Sequence, residues 1–546
     1  MNNKYSKIAF VFLGLLLLNF ISSTIYKRFD LTEDKRYTLS KETKSIVENI
    51  ENIITIKVYL QGDFPAEFKR LQIETKQYLE ELKAVNKNIR YKFINPSKIA
   101  EKLIKRGLEP SRLEVQENEK TSEIIIFPWA TVSSKNKTEN VALLKDIFSN
   151  SQNEQLESSI QNLEYAFADA IHKVTSKKSK KIAIIKGNGE LNDIYIADFL
   201  QKINDYYFLA PFTLDSVKKQ PQKTLKELKK FDLIIVAKPT VKFTEKEKFT
   251  LDQFTMNGGK TLWLIDNVQA ELDSLMHTGE SLAYPRDLGL TDLFFNYGVR
   301  INTDLITDLN SSEIPLAIGN IGNKTQFSQF KWNFFPLLNS TNNHPINNNI
   351  EAVNVKFSNS IDTLKNNIQK TILLQSSPLS KTVGTPSIIS LKTITAPQNS
   401  SEFTNGNKPI AVLLEGAFKS GYRGRVKPFK IEKPKEKGSD TKMVIISDGD
   451  LIANEISKGK PLELGINKWT NQRYGNKEFL LNTVNYLLDD TGLINIRSKT
   501  FKIDFLNKQK AFKETHKWQV INIAFPLLLL AIFGLIFNFL RRKKYQ

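Results

Sequence analysis

Lys181–Glu190 reads KIAIIKGNGE, four apolar residues in a row that close on two glycines and a carboxylate. A short apolar run cut off by turn residues marks a strand buried on both faces, because alternate side chains point to opposite sides and both sides are covered. The same pattern recurs in FDLIIVA at 231–237, KTLWLI at 260–265, IAVLLE at 410–415 and KMVIISD at 442–448. Helical patterns at 192–204 and 244–257 stand between the first three of these strands. The expectation is an α/β domain built on a parallel sheet.

Loops that follow parallel strands gather along the carboxyl edge of the sheet, where open α/β folds place their ligands. That edge would bring together Gly187, Asn188, Gly189 and Glu190 with Asp266, Glu415, Asp448 and Asp450, and these eight are the candidate ligand-binding residues. Two glycines ahead of a helix suit an anion. The full dinucleotide fingerprint and the P-loop lysine pattern are both missing, so neither a nucleotide nor any other cofactor is expected. Asp448-Gly449-Asp450 has two readings. One is a carboxylate pair for a divalent ion, joined by Glu190 or Asp266; the other, more common in proteins, is a strand-end turn whose aspartates cap the next helix. No metal site is assigned. Asn257-Gly258-Gly259-Lys260 reads as a helix-ending turn, and Trp263, inside an apolar strand, as core.

Upstream, ITIKVYL at 54–60, a helical stretch at 66–85, IRYKFI at 89–94, a helix at 98–106 and SEIIIFPWATV at 122–132 alternate as β-α-β-α-β. That order is thioredoxin-like. The chain has no cysteine, so redox work, thiolate metal sites and disulfides are excluded together. Leu156, Ile160, Leu163, Phe167, Ile171 and Val174 then recur at three- and four-residue spacing, one apolar stripe on a helix that must pack against something. From 310 to 407 the chain is rich in Asn, Ser and Thr, and NSTNNHPINNN at 339–349 has almost no apolar content. This stretch reads as a β- and loop-rich insertion.

The two ends are apolar. Ile8–Ile25 and Val520–Leu540 carry no charge, and the second is closed by Arg541, Arg542, Lys543 and Lys544. Eighteen helical residues reach about 27 Å, enough to cross hydrocarbon. Two spans put both termini on one side, and the basic tail points to the cytoplasm. In RFDLTEDKRYTLSKET at 28–43, Thr32 and Ser40 are helix N-cap candidates, which predicts a rigid exit from the membrane.

Lys plus Arg number 78 against 58 for Asp plus Glu among 546 residues, a formal charge of +20 that suits anionic lipid. The basic runs at 176–181 and 218–230 lack interleaved aromatics, so nucleic acid is not an expected partner. No Gly-x-Ser-x-Gly nucleophile elbow and no legible nucleophile–base pair occurs, so no catalytic residue is assigned and the chain is read as a non-enzyme.

RFDLTEDKRYTLS at 28–40, AKPTVKFTEKEKF at 237–249, DQFTMNGGKTLWLID at 252–266, YGVRINTDLITD at 297–308, ISDGDLIANE at 446–455, RYGNKEFLLNTVNYLLDD at 473–490 and WQVINIAFPLLLL at 518–530 together resemble one family. It is the GldG family, gliding-motility-associated auxiliary components of an ABC transporter, and the resemblance covers essentially the whole chain. The resemblance implies an inner-membrane protein partnered by a permease subunit and an ATPase subunit, with a Rossmann-like central domain and no assigned catalysis. The expected layout is a membrane anchor at 1–26, a first extracytoplasmic α/β domain at 27–152, and a connecting helix and linker at 153–180. A Rossmann-like auxiliary domain at 181–490 carries the insertion at 310–407, followed by a connector at 491–518 and a second span with its basic tail at 519–546. The expected role is coupling the permease, in the bacterial cytoplasmic membrane, to an extracytoplasmic substrate or a periplasmic or envelope motility partner. The competing expectation is a solute-binding protein for a glycan or peptide at the carboxyl edge.

Overall fold

The computed structural model describes residues 11–15, 19, 30, 32, 34–62, 64–117, 120–145, 152–322, 324–340, 342–396, 398–499 and 508–545. It divides into two compact units, Met1–Thr500 and Phe501–Gln546. The whole is mixed α/β.

Seven strands build the main sheet of the first unit: β1 (Lys181–Lys186), β2 (Phe208–Thr213), β3 (Leu233–Ala237), β4 (Lys260–Leu264), β5 (Gln369–Gln375), β6 (Pro409–Lys419) and β7 (Lys437–Ile446), in the spatial order β5-β6-β7-β4-β3-β1-β2. From β7 to β2 the neighbours are parallel. Both faces are covered, which is why the central strands read as unbroken apolar runs. Ile182, Ile184, Leu233, Ile235, Leu262 and Leu264 face one core with Phe199 and Ile203 of the Ala197–Asn204 helix and Phe479, Leu480 and Val484 of the Asn476–Leu488 helix. Ala183, Ile185, Ile234, Val236 and Trp263 face the other, against Leu251, Phe254 and Met256 of the Glu245–Met256 helix. That helix starts at a capping box. Glu247 N–H donates to Thr244 Oγ1 at 3.4 Å and Thr244 N–H donates to Glu247 Oε2 at 2.8 Å.

Three features depart from the expectation. The strand containing IAVLLE, β6, runs antiparallel to β7, with Leu413 opposite Val444. An apolar strand looks the same in either direction, and only the long excursion that delivers it decides. Phe208–Thr213 is a strand that the apolar pattern does not mark; Pro211 has no N–H to give a ladder, which an edge position tolerates. The expected insertion also supplies β5, the opposite edge of the sheet, besides a long hairpin, Ser311–Ile321 with Lys324–Leu338.

The amide-rich loop at 342–349 is buried at its centre, Ile346, Asn347 and Asn348. Asn347 Nδ2 donates to the Leu373 carbonyl at 2.6 Å and Asn348 Nδ2 to that of Arg497 at 2.5 Å. Side chains that carry their own donors pay for burial with hydrogen bonds in place of apolar contact.

Nearer the N-terminus, Ile54–Val58 pairs in parallel with Ile89–Phe93 and antiparallel with Trp129–Ser134, which pairs with Lys137–Ala142. The single strand expected at 122–132 is two: Lys120–Ile126 forms a hairpin with Ser111–Glu117, and only Trp129–Ser134 joins the sheet. Pro128 lies between them, where a ladder hydrogen bond would be lost. The Gln152–Thr175 helix buries its whole expected stripe, Leu156, Ile160, Leu163, Phe167, Ile171 and Val174.

In the second unit the helix Thr515–Tyr545 contains one stretch, Thr515–Lys543, long and apolar enough to cross a membrane. Of the first apolar segment, Ile8–Ile25, only Val11–Leu15 and Asn19 are described; the remainder of that expected span lies outside the described residues. The two exit helices expected from Thr32 and Ser40 reduce to one among the described residues, Lys41–Glu48, capped by Ser40. Thr32 Oγ1 instead accepts from Arg36 N–H at 3.2 Å within a turn.

Candidate functional site

The carboxyl edge of the sheet holds a closed ion network. Lys238, the first residue after β3, points its ammonium at Asp450 Oδ1 (2.7 Å), Glu271 Oε2 (3.0 Å) and Asp266 Oδ2 (3.5 Å). Asp266 Oδ1 accepts from Gly449 N–H at 2.5 Å, and Arg286 reaches Glu271 at 3.4 Å. Asp448 is fully buried; its Oδ1 accepts from Asp450 N–H (2.7 Å) and Leu451 N–H (3.2 Å), its Oδ2 from Lys356 N–H (2.7 Å). The strand-end turn is therefore the arrangement that Asp448-Gly449-Asp450 adopts. A β-carbon on Gly449 would stand 2.5 Å from Lys238 Cγ, so no space separates the two segments. The lysine ammonium occupies the place among these carboxylates where a cation would sit. Among the described residues, no group of three or more His, Cys, Asp or Glu side chains is arranged to hold a metal ion.

Burial raises the Asp266 carboxyl from an ordinary 3.8 to about 6, against the pull of Lys238. Burial and the neighbouring charges of Asp450 and Asp266 push Asp448 up as well. For Lys238, burial works against the ammonium, but Asp450, Asp266 and Glu271 outweigh it and hold its pKa above the usual lysine value. The Asp266 shift has a testable sign. A carboxyl whose pKa is higher folded than unfolded binds more protons in the folded chain, so its stabilising contribution is complete below pH 4 and is lost as pH rises through about 6. Asp266→Asn should therefore gain on the native protein by about 2–3 kcal/mol between pH 4 and pH 7, read from urea unfolding at each pH.

The glycine loop joins this edge through backbone contacts. The Asn188 carbonyl accepts from both Thr240 N–H and Val241 N–H at 2.9 Å. Asn188 N–H, the donor an anion would need, is taken by Glu190 Oε2 at 2.8 Å. Asn188 Nδ2 approaches Glu247 Oε2 at 3.4 Å. Gly189 has φ +73° and packs against the Thr240 side chain so closely that a β-carbon would collide with it. Glu190 thus turns onto its own loop instead of joining the aspartates, while Asn188 Oδ1 and Glu190 Oε1 are buried without a hydrogen-bond partner among the described residues. Glu415 is elsewhere. Because β6 runs antiparallel, Glu415 pairs with Lys442, midway along β7, and accepts from Tyr486 Oη at 3.0 Å.

A second constellation, built from widely separated segments, has only one sequence signal, the N-cap Ser40. Glu164, on the Gln152–Thr175 helix, accepts from Ser40 N–H (2.7 Å) and Thr43 Oγ1 (2.9 Å) through Oε1, and from Lys499 Nζ (2.9 Å) through Oε2. Lys499 also donates to the Thr38 carbonyl at 2.7 Å. The segment that follows the first apolar run and the segment that precedes the second are thus fastened to one carboxylate. Two residues earlier, Arg497 is buried: Nη2 donates to Glu478 Oε1 (2.6 Å) and the Asn348 carbonyl (3.1 Å), and its guanidinium lies 4.9 Å from the Tyr165 ring centre. Lys145 meets the same Glu478 oxygen at 3.2 Å. Burial alone would raise the Glu478 pKa, and Lys145 and Arg497 reverse that to hold it below the ordinary value.

A protein of Borreliella burgdorferi, described as uncharacterized, is 22% identical over 558 residues, covering 100% of both chains. Among solved structures, the mmIFT52 N-terminal domain aligns at 12% identity with a TM-score of 0.32, over 57% of this chain and 98% of that one, a likeness too slight to argue from. Residues 33–133 match a family described as a domain of unknown function. Residues 179–483, which hold the main sheet and its ion network, match the family described as an ABC-type uncharacterized transport system, and the chain belongs to that family of transporter auxiliary components.

Proposed function

We propose that the protein is a non-catalytic auxiliary subunit of a gliding-motility ABC transporter. It sits in the cytoplasmic membrane through two spans, with both termini in the cytoplasm and the bulk of the chain in the periplasm. In this reading 27–152 and 181–490 are two α/β domains, the second Rossmann-like, joined by the helix and linker at 153–180. The chain has no Walker A lysine loop, so energy comes from a separate ATPase subunit. The spans dock on the permease, and its movement passes outward to an envelope partner. The observation that carries the reading is the Glu164 junction. It ties Ser40 and Lys499, the two ends of the folded body that lead toward the apolar segments, to one rigid helix. A displacement imposed at Ser40 or Lys499 is thereby delivered to that helix and the sheet packed on it.

The absence of cysteine makes the test clean. Ser45→Cys, on the exposed face of the Lys41–Glu48 helix, should give a crosslink to the permease subunit with a short bifunctional reagent in intact membranes. Labelling that finds lipid and solvent but no permease at Ser45 and at each exposed position of that helix would overturn the proposal.

A further inference from the structure

Half of the chain's net charge sits on two short stretches that the fold sets side by side. Residues 215–230 and 419–437 hold fourteen Lys and Arg against four Asp and Glu, a net +10 out of the +20 carried by all 546 residues. The first stretch contains the Pro221–Leu228 helix, which buries Thr224, Leu225 and Leu228 and leaves Lys223 and Lys226 exposed, with Lys230 exposed just beyond it. The second spans the loop between β6 and β7. Gln222 Nε2 donates to the Lys430 carbonyl at 2.8 Å across 208 residues of sequence. Burial, together with the charge of Lys435, pulls the Lys229 ammonium below the usual lysine value.

The loop is held in shape. Tyr422 and Phe429 each set a ring edge-on to Phe249, 5.0 Å between ring centres, and Tyr422 Oη donates to Glu245 Oε2 at 2.7 Å. Between these anchors runs Arg423-Gly424-Arg425-Val426-Lys427-Pro428. Arg425 N–H donates to the Tyr422 carbonyl at 3.2 Å, and Gly424 supplies the left-handed backbone, φ +67°, that the turn uses. The turn lifts Val426 off the body: it is 93% exposed, more than any other large apolar residue among the described residues.

A valine held out at the tip of a clamped loop leaves apolar surface in water, and like charges gathered on one face repel. A polyanion relieves the repulsion and hydrocarbon takes the valine; an anionic bilayer offers both at once. Free anions, nucleic acid and acidic sugars would meet the lysines but leave Val426 in water. The chain also carries Thr515–Lys543, long and apolar enough to cross a membrane, which makes a bilayer the anionic surface to expect. We propose that the basic face formed by the Pro221–Leu228 helix and the Tyr422–Phe429 loop docks on anionic phospholipid, with its Lys and Arg at the headgroups and Val426 in the interface. The docking requires a membrane-bound chain but neither a permease nor gliding.

The test uses the full chain in proteoliposomes without transporter subunits, so its failure leaves the transporter role standing. Because cysteine is absent, Val426→Cys takes a single environment-sensitive nitrobenzoxadiazole label. In phosphatidylcholine vesicles with about 30% phosphatidylglycerol the label should emit further to the blue and be quenched about threefold more by doxyl-labelled lipid than in pure phosphatidylcholine; about 0.5 M salt should reverse the difference. The same label in the quadruple variant Lys223→Gln, Lys226→Gln, Lys430→Gln, Lys433→Gln should lose that difference; all four side chains are exposed, so the fold is not at stake. Quenching that is absent, equal in neutral vesicles, or unchanged in the quadruple variant would overturn the proposal. So would a blue shift in neutral vesicles that grows with protein density, which assigns the loop to a second copy of the chain, or one that needs added alginate, which assigns it to an acidic polysaccharide.

Discussion

Lys238→Met is expected to destabilise the folded chain by about 3–5 kcal/mol at pH 8, the cost of stranding buried charge when one partner is removed. The lysine side chain is 6% exposed and is the cation shared by Asp266, Asp450 and Glu271. Without it Glu271 keeps Arg286, but among the described residues Asp266 is left with the Gly449 N–H. The loss should depend on pH in a way that simple loss of packing would not. Asp266 already titrates near 6, and with Lys238 gone it can take up a proton instead of remaining charged. The penalty should therefore shrink at pH 5 and grow toward pH 8. Denaturant unfolding followed by tryptophan fluorescence is a direct readout, since Trp263 is buried on the neighbouring strand. A loss below about 1 kcal/mol, or one independent of pH, would contradict the assignment of charge in this cluster. Lys238 also has φ +53°, a left-handed backbone that a side chain other than glycine or asparagine rarely adopts. Lys238→Asn would suit that backbone yet lose the charge, so it should resemble the methionine variant.

Arg497→Met is the second large effect, about 3 kcal/mol. Its side chain is 3% exposed and serves Glu478 and the Asn348 carbonyl, so among the described residues the substitution leaves a carboxylate with Lys145 and a buried carbonyl without this donor. The change should be local before it is global. Hydrogen exchange should speed up first in Leu493–Ser498 and in the amide-rich loop at 342–349, because Asn348 Nδ2 is bound to the Arg497 carbonyl. Exchange that rises uniformly across β3 and β4 instead would show that Arg497 supports the sheet rather than the connector. In the transporter reading the same variant should uncouple: the protein would still reach the membrane and its permease, while gliding is lost.

Part of this architecture is legible in the residues. LIIVA of β3 and LWL of β4 are apolar at every position because two helical layers cover them, and composition shows that directly. The Gln152–Thr175 helix declares its buried face through spacing, and the Glu245–Met256 helix its start through Thr244 and Glu247. Asp448 also reads correctly as a turn residue, since bonding to the N–H groups just after it is a local transaction, whereas Asp450 turns its carboxylate to the distant Lys238.

Local pattern determines which segments are strands and helices, which faces are apolar, and that Thr515–Lys543 is suited to a membrane. Tertiary structure decided the rest: the reversal of β6 that carries Glu415 away from the other candidates, the filling of the glycine loop by its own Glu190, and the meeting of Lys238 with carboxylates 28, 33 and 212 residues further on. The same holds for Ser40 and Lys499 on one glutamate. Apolar periodicity is a property of consecutive residues, whereas the pairing of a charge is settled by whichever distant segment the folded core brings within about 4 Å of it.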